Sequence, residues 1–296
     1  MRRFRPGTAL GLAFLLAASI VISGSAASAA PSGGPPTSPV DGEPRTTSDA
    51  TALSALLVTP REPVVPFAGS DGHITATYEL GVQNATPLTL TLTAAEVLDP
   101  AGKVLQHLDQ AAVAANLALP SQRGGVQTLL EAQAATLYVT VQFARRSDVP
   151  RRLDNRITFT GLPTGAASSD VVGVPVSGLE PPVLGPPLEP GSRYIAADSC
   201  CDSPRHRMAL LPIDNRQWLV QRFAVDWEQL DAQDRTVSRG DPADPAAYTI
   251  YGKKVVAASE GTVVHVIDNL PDQTPGGLPT GLSLAEVGRA SCRERV

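Results

Sequence analysis

Hydrophobic and polar residues alternate with a period of two along much of the chain between residues 51 and 178. Leu88, Leu90 and Leu92 alternate with threonines, which is the pattern of a strand that buries one face. Threonine and valine favour the extended, half-buried backbone of a sheet. Further strands are predicted at Ile74 to Val82, Lys103 to Gln106, Leu137 to Phe143, Arg156 to Thr160 and Val171 to Val176.

The spacing of these strands indicates a fold. Short strands separated by turn signals such as Asp99 to Gly102 are typical of an antiparallel β-sandwich similar to an immunoglobulin-like module. The alanine-rich run from Asp109 to Leu119 is compatible with a short helix or a loop. His73 and His107 are isolated, so no catalytic constellation is visible here. We predict an all-β chain whose sandwich domain, 51–178, is a spacer or a binding module.

The N-terminal segment predicts export. Three arginines within the first five residues precede an apolar run from Leu10 to Ile22, and Ala27 to Ala29 is a small-residue cleavage motif. The apolar run is too short for a comfortable membrane span. We predict a signal peptide at 1–29, a disordered linker at 30–50, and a secreted or cell-envelope location, extracellular or periplasmic.

A proline-rich linker at 179–190 predicts a second domain boundary, with a second β domain at 191–287. Met208 to Pro212 and Trp218 to Val225 are predicted as strands around a turn at Asp214 to Arg216. The acidic stretch that follows, 227–248, lacks calcium-loop spacing and is predicted to be a solvated loop. Tyr251 to Val266 has two β-branched runs around Ser259-Glu260-Gly261, which predicts a hairpin.

This hairpin carries a resemblance. The pattern G-x-x-V-x-A-x-x-x-G-x-V, from Gly252 to Val263, resembles the core hairpin of the lysostaphin (LytM)-type zinc endopeptidases, which cut peptidoglycan cross-bridges. Upstream, Arg222-Phe-Ala-Val-Asp226 lies where that family carries H-x-G-x-D, its first zinc-binding pair. The resemblance implies that 191–287 is the front part of the family's β-sheet core, with peptidoglycan or cell-wall peptides as partners.

The resemblance also implies a metal site, of which this chain has one ligand. In the family, zinc is held by a histidine, an aspartate and a histidine from a downstream H-x-H. Asp226 matches the aspartate, but Arg222 replaces the first histidine, and a guanidinium has no lone pair for a metal. Arg222 could instead pair with Asp226; the alternative is a divergent subgroup with other ligands, which nothing in the sequence supplies. No H-x-H follows, and His265 is predicted to be an ordinary strand residue.

Two functions follow from these matches. The chain resembles an exported peptidoglycan endopeptidase, and as given we expect it to bind no zinc and to be inactive. The alternative is a non-catalytic module that binds peptidoglycan or regulates another hydrolase. The formal net charge of -5 shows no basic surface, so nucleic acid is not an expected partner.

Two features remain to be interpreted, a pair of adjacent cysteines and the C-terminal tail. Cys200 and Cys201 are adjacent, which predicts a strained vicinal disulfide or two thiols; with His206 they lack the second cysteine pair of a zinc ribbon. Residues 288–296, G-R-A-S-C-R-E-R-V, resemble translated sequencing adapter. We expect this tail to be non-native and the second domain to be truncated; a genuine basic tail is the alternative.

Overall fold

Strands dominate the computed structural model, which describes residues 54–120, 122, 124–169, 172–199, 204–213, 215–264, 266, 272 and 274–276. The predicted signal peptide, the 30–50 linker, the 288–296 tail, Cys200, Cys201 and His265 lie outside the described residues. In chain order the strands and helices are β1 Leu56–Pro60, β2 Phe67–Ala68, β3 Ile74–Asn84, β4 Leu90–Leu98, β5 Val104–Leu108, α1 Gln110–Asn116, β6 Leu117–Ala118, β7 Thr128–Leu129, β8 Ala134–Phe143, β9 Arg152–Leu162, β10 Gly165–Ser168, β11 Val172–Pro175, β12 Tyr194–Ala197, α2 Pro204–Arg207, β13 Leu210–Ile213, β14 Arg216–Leu219 and β15 Asp226–Gln229, with 3₁₀ turns at Arg146–Asp148 and Pro245–Ala247.

The first eleven strands form two antiparallel sheets. One has the order β1-β3-β8-β6, with β2 also paired to β3; the other has the order β10-β9-β4-β5, with β11 on β9 and β7 on β4. Both sheets contribute to one hydrophobic core, in which Leu80 and Val139 of the first sheet join Leu92 and Phe159 of the second. Inward side chains of opposed sheets interdigitate in this way in a β-sandwich. The predicted all-β class is confirmed.

The strand predictions from the alternation are confirmed, and the structure extends several of them. The strand predicted at Ile74 to Val82 ends at Asn84, and the one predicted at Arg156 to Thr160 runs from Arg152 to Leu162. The ambiguous run after Asp109 begins as a helix, because the Asp109 carboxylate accepts a hydrogen bond from the Ala112 amide and caps the first turn.

Two small sheets follow the proline-rich linker. β13 and β14 pair antiparallel, as expected for the two strands predicted on either side of the turn. Its second strand stops at Leu219, and Asp226 begins a separate strand, β15, which pairs with β12. Asp226 was predicted to end the strand that began at Trp218, so this boundary was wrong: residues 220–223 make a turn between the two strands.

The predicted hairpin at Tyr251 to Val266 is not formed by the described residues. Only Val255 pairs, with Leu188 of the linker, in an isolated bridge. Val263 and Val264 are 79% and 92% exposed, so the β-branched runs have no apolar surface to pack against. β-propensity reflects such packing and does not by itself make a strand. Backbone hydrogen bonds also join this segment to the linker: the Val256 amide donates to the Pro187 carbonyl, and the Glu189 amide donates to the Lys254 carbonyl.

The outward face of the first sheet is polar and yet buried. Thr75, Thr77 and Glu79 point away from the core on β3, and they are 5%, 3% and 1% exposed. Residues after the linker cover them, since Met208 packs on Tyr138 of β8. Residues 179–190 stay a predicted domain boundary. No helix among the described residues is long and apolar enough to cross a membrane.

Candidate functional site

Arg222 is paired with a carboxylate on the sandwich and not with Asp226. Its Nε donates to Glu79 Oε1 at 3.2 Å, and its Nη2 donates to Glu79 Oε2. The Glu62 carboxylate lies 3.5 Å from Nη1 and is largely exposed. The Arg222–Asp226 ion pair that the sequence allowed is therefore not formed. Glu79 offers a bidentate partner with a fully buried side chain, and the fork of a guanidinium matches a carboxylate in this arrangement.

The surroundings of Arg222 fix its side chain. Burial lowers the pKa of Arg222, while the nearby Glu62 charge acts in the opposite direction. The guanidinium also lies 5.5 Å from the centre of the Phe223 ring, and that ring contacts Phe67 of β2 edge to face at 5.9 Å. Arginine remains protonated even so. Position 222 thus holds a cation, neutralised by Glu79.

A second arginine converges on the same carboxylate. Arg207 Nη2 lies 3.6 Å from Glu79 Oε1, and both side chains are almost completely buried. Arg207 also donates to the hydroxyls of Thr77 and Thr140 and to the backbone carbonyl of Val139. A buried ion is tolerated only when its hydrogen bonds are satisfied. The polar face of β3 and β8 is therefore built to receive this arginine.

Asp226 has a different partner, His206. His206 Nε2 lies 3.2 Å from Asp226 Oδ1, and the side chains are 8% and 47% exposed. The other ring nitrogen, Nδ1, lies 3.3 Å from the backbone carbonyl of Ala224. Both ring nitrogens of His206 therefore face oxygen acceptors, one on the Asp226 side chain and one on the backbone.

A closed zinc site nevertheless does not fit the residues that the structure describes. Among them, no group of three His, Cys, Asp or Glu side chains is close enough to hold a metal ion. A catalytic zinc takes three protein ligands and one water. His206 and Asp226 supply two donors and Arg222 supplies none. The role of Asp226 as a zinc ligand stays a prediction.

The acidic stretch after β15 is more ordered than a solvated loop. Asp231 is buried, and its carboxylate accepts hydrogen bonds from the amides of Gln233 and Arg235 and from the Arg239 side chain. The amide of Arg235 is the main reason that the pKa of Asp231 is lowered to about 2, and the Arg239 side chain adds to it. The prediction of a solvated loop was wrong at Asp231, because the backbone amides of the turn that follows it donate to its carboxylate.

A groove lies where β1 and β14 approach each other. It encloses about 290 Å³ and is lined by Thr59, Pro60, Arg61, Glu62, Gly81, Gln217 and Leu219. Arg61 Nη2 donates to Thr136 Oγ1 and to Gln217 Oε1, both at 2.8 Å. The side chains of Arg61 and Gln217 thus connect the sandwich edge to the hairpin that follows the linker.

The sequence did not indicate Glu79 or the pairing of His206 with Asp226. A signal for Glu79 exists: it is an acid in the middle of a long strand, in phase with Thr75 and Thr77 and not with the core residues. A charge at such a position needs a buried partner. For His206 no local signal was available, because it lies in α2 and its partner is twenty residues away on β15.

Comparisons with known proteins give no family. No protein-family model matches the chain, and no curated protein matches it. Among solved structures, the structural-genomics target SoR45 is 13% identical with a TM-score of 0.27, covering 42% of this chain and 89% of that one. A Bordetella pertussis protein described as ApaA is 12% identical with a TM-score of 0.26, covering 43% of this chain and 97% of that one.

Proposed function

We propose that this chain is an exported cell-envelope protein that binds peptidoglycan peptides without cleaving them. One observation carries the non-catalytic part: Arg222, which stands at the position of the family's first zinc-binding histidine, is held by the buried carboxylate of Glu79. A protonated guanidinium cannot donate a lone pair to zinc. It also places a positive charge where a metal cation would have to bind.

Asp226 supports the same proposal. In the family, zinc supplies an activated water for attack on a peptide bond. Here the Asp226 carboxylate faces His206, and no third ligand is present among the residues described. No nucleophile with an adjacent base replaces it in this part of the chain. Binding is therefore the function that these residues can perform.

The envelope location rests on the sequence. The signal peptide and the linker predicted from the sequence, together with the resemblance around Gly252 to Val263, favour an exported protein that meets the cell wall. Peptidoglycan peptides are short and carry free carboxylates and amines. A groove that is lined by an arginine, as the groove at Arg61 is, offers a charge that can pair with such a carboxylate.

The test is cosedimentation of the secreted chain with isolated peptidoglycan sacculi. We expect the protein to pellet with sacculi equally in EDTA and in added zinc, and we expect no new free amines in the supernatant. Asp226→Ala should pellet like the unchanged chain. Zinc-dependent release of amines that is lost in both Asp226→Ala and His206→Ala would establish an endopeptidase instead. Failure to pellet at all would refute the proposal.

A further inference from the structure

We infer that the groove between β1 and β14 binds the free carboxylate end of a short peptide, with Arg61 as its counter-ion. This inference rests on the proposed function, because it assigns a place to the ligand. The groove has a cation, neutral hydrogen-bonding groups and an apolar wall from Pro60 and Leu219. Small-ligand sites combine an apolar lining with a few polar groups that fix orientation.

Arg61 is the one charged group of the groove whose charge is not balanced. No carboxylate of the described residues lies within ion-pair distance of it, whereas Glu62 is directed to Arg222. The Nη2 amine donates to Thr136 and Gln217, which are neutral. Nε is buried and has no hydrogen-bond partner, and both side-chain hydrogen bonds of Arg61 to described residues come from Nη2. Burial lowers the pKa of Arg61, and a Coulombic interaction with Tyr138 acts in the opposite direction.

The size of the groove limits what it can hold. About 290 Å³ corresponds to roughly ten water molecules at ~30 Å³ each. This volume accommodates the terminal residue of a peptide and not a long ligand. Gly81 contributes no side chain to the lining, and a single guanidinium matches a monoanion. The exposed Glu62 at the same groove disfavours polyanions such as phosphates.

The carboxylate can be tested with a matched pair of probes. Acetyl-Lys-D-Ala-D-Ala carries the free carboxylate, and its C-terminal amide has the same shape without the charge. We expect calorimetry with the full chain to give a dissociation constant on the order of 1 mM or tighter for the acid, and binding roughly tenfold weaker for the amide. Equal binding of the two probes, or no binding of the acid, would overturn the inference.

Two variants locate the site. Arg61→Gln removes the charge, and Gln217→Glu leaves Arg61 in place but supplies an internal carboxylate 2.8 Å from its Nη2. Both should weaken binding of the acid roughly tenfold or more, and Gln217→Glu should keep the melting temperature. Arg145→Gln is the control, because this arginine is 77% exposed and follows β8 at the end away from Gly81. Unchanged affinity in Gln217→Glu would overturn the assignment.

The groove and the proposed function can fail separately. If the chain pellets with sacculi while the free peptide acid does not bind, this site is wrong and the function stands. If the peptide acid binds with the expected dependence on Arg61 while sacculi are not bound, the site stands and the cell-wall function is wrong.

Discussion

Replacing Glu79 with glutamine is expected to destabilise the folded chain by about 3 kcal/mol. Glu79 has a fully buried side chain and accepts hydrogen bonds from Arg222, with Arg207 3.6 Å away. Removing one partner of a buried ion pair costs about 3–5 kcal/mol, because the remaining charges stay buried without compensation. Glutamine keeps one acceptor oxygen, so we expect the lower end of this range.

The measurement is urea denaturation followed by circular dichroism, with thermal melts alongside. For a unit of this size, 3 kcal/mol corresponds to a decrease of roughly 6–12 °C in the melting temperature. Glu96→Gln is the matched control, since Glu96 pairs with Arg156 at 3.1 Å while both side chains keep solvent contact, at 24% and 40% exposure. Pairs of this kind contribute about 0–1 kcal/mol.

A double-mutant cycle separates the pair from the rest of the cluster. The combined Glu79→Gln and Arg222→Gln variant should lose clearly less stability than the two single losses added together, since each single change leaves a buried group without its partner. If Glu79→Gln lowers the free energy of unfolding no more than the Glu96→Gln control does, Arg222 and Arg207 do not pack on the sandwich. The pairing of Arg222 with Glu79 is then refuted.

Three further outcomes are expected. Tyr78→Phe should cost about 1–2 kcal/mol in urea denaturation, because the buried Tyr78 hydroxyl donates to Asn155 Oδ1 at 2.7 Å; a loss near zero would contradict this bond. Asp231 has its pKa lowered to about 2, so the stability that it contributes is present above about pH 4 and is lost as the pH falls toward 2; a stability–pH curve of Asp231→Asn should be flatter in this window, and an unchanged curve would contradict it. N-terminal sequencing of the secreted protein should begin at or within two residues of Ala30, and an intact initiator methionine would contradict export.

The sandwich could be predicted from the sequence because its information is local. Alternation of apolar and polar residues with a period of two identifies both the strand and its buried face, as for Ile74–Asn84 and Leu90–Leu98. The same local information misled at Tyr251 to Val266. The β-branched residues there predicted strands, but Val263 and Val264 find no apolar surface among the described residues.

The candidate site could not be predicted because its contacts are not local. Arg222 and Glu79 are 143 residues apart in the chain. The sequence around either residue does not predict that the other is its partner. Matching the family's motif indicated that Arg222 could not bind zinc, and that argument needed only its chemistry. The choice of its partner depends on how the residues after the linker cover the polar face of β3, which is a tertiary property.

The most direct test of the non-catalytic proposal is a zinc titration of the purified, metal-free chain by calorimetry at neutral pH. We predict that Asp226→Ala leaves the isotherm unchanged, because Arg222 is paired with Glu79 and Asp226 with His206. Structural zinc sites with complete ligand sets bind by about 10–16 kcal/mol, so a genuine site would give a steep, stoichiometric isotherm. Stoichiometric zinc that is lost in Asp226→Ala would contradict the proposal.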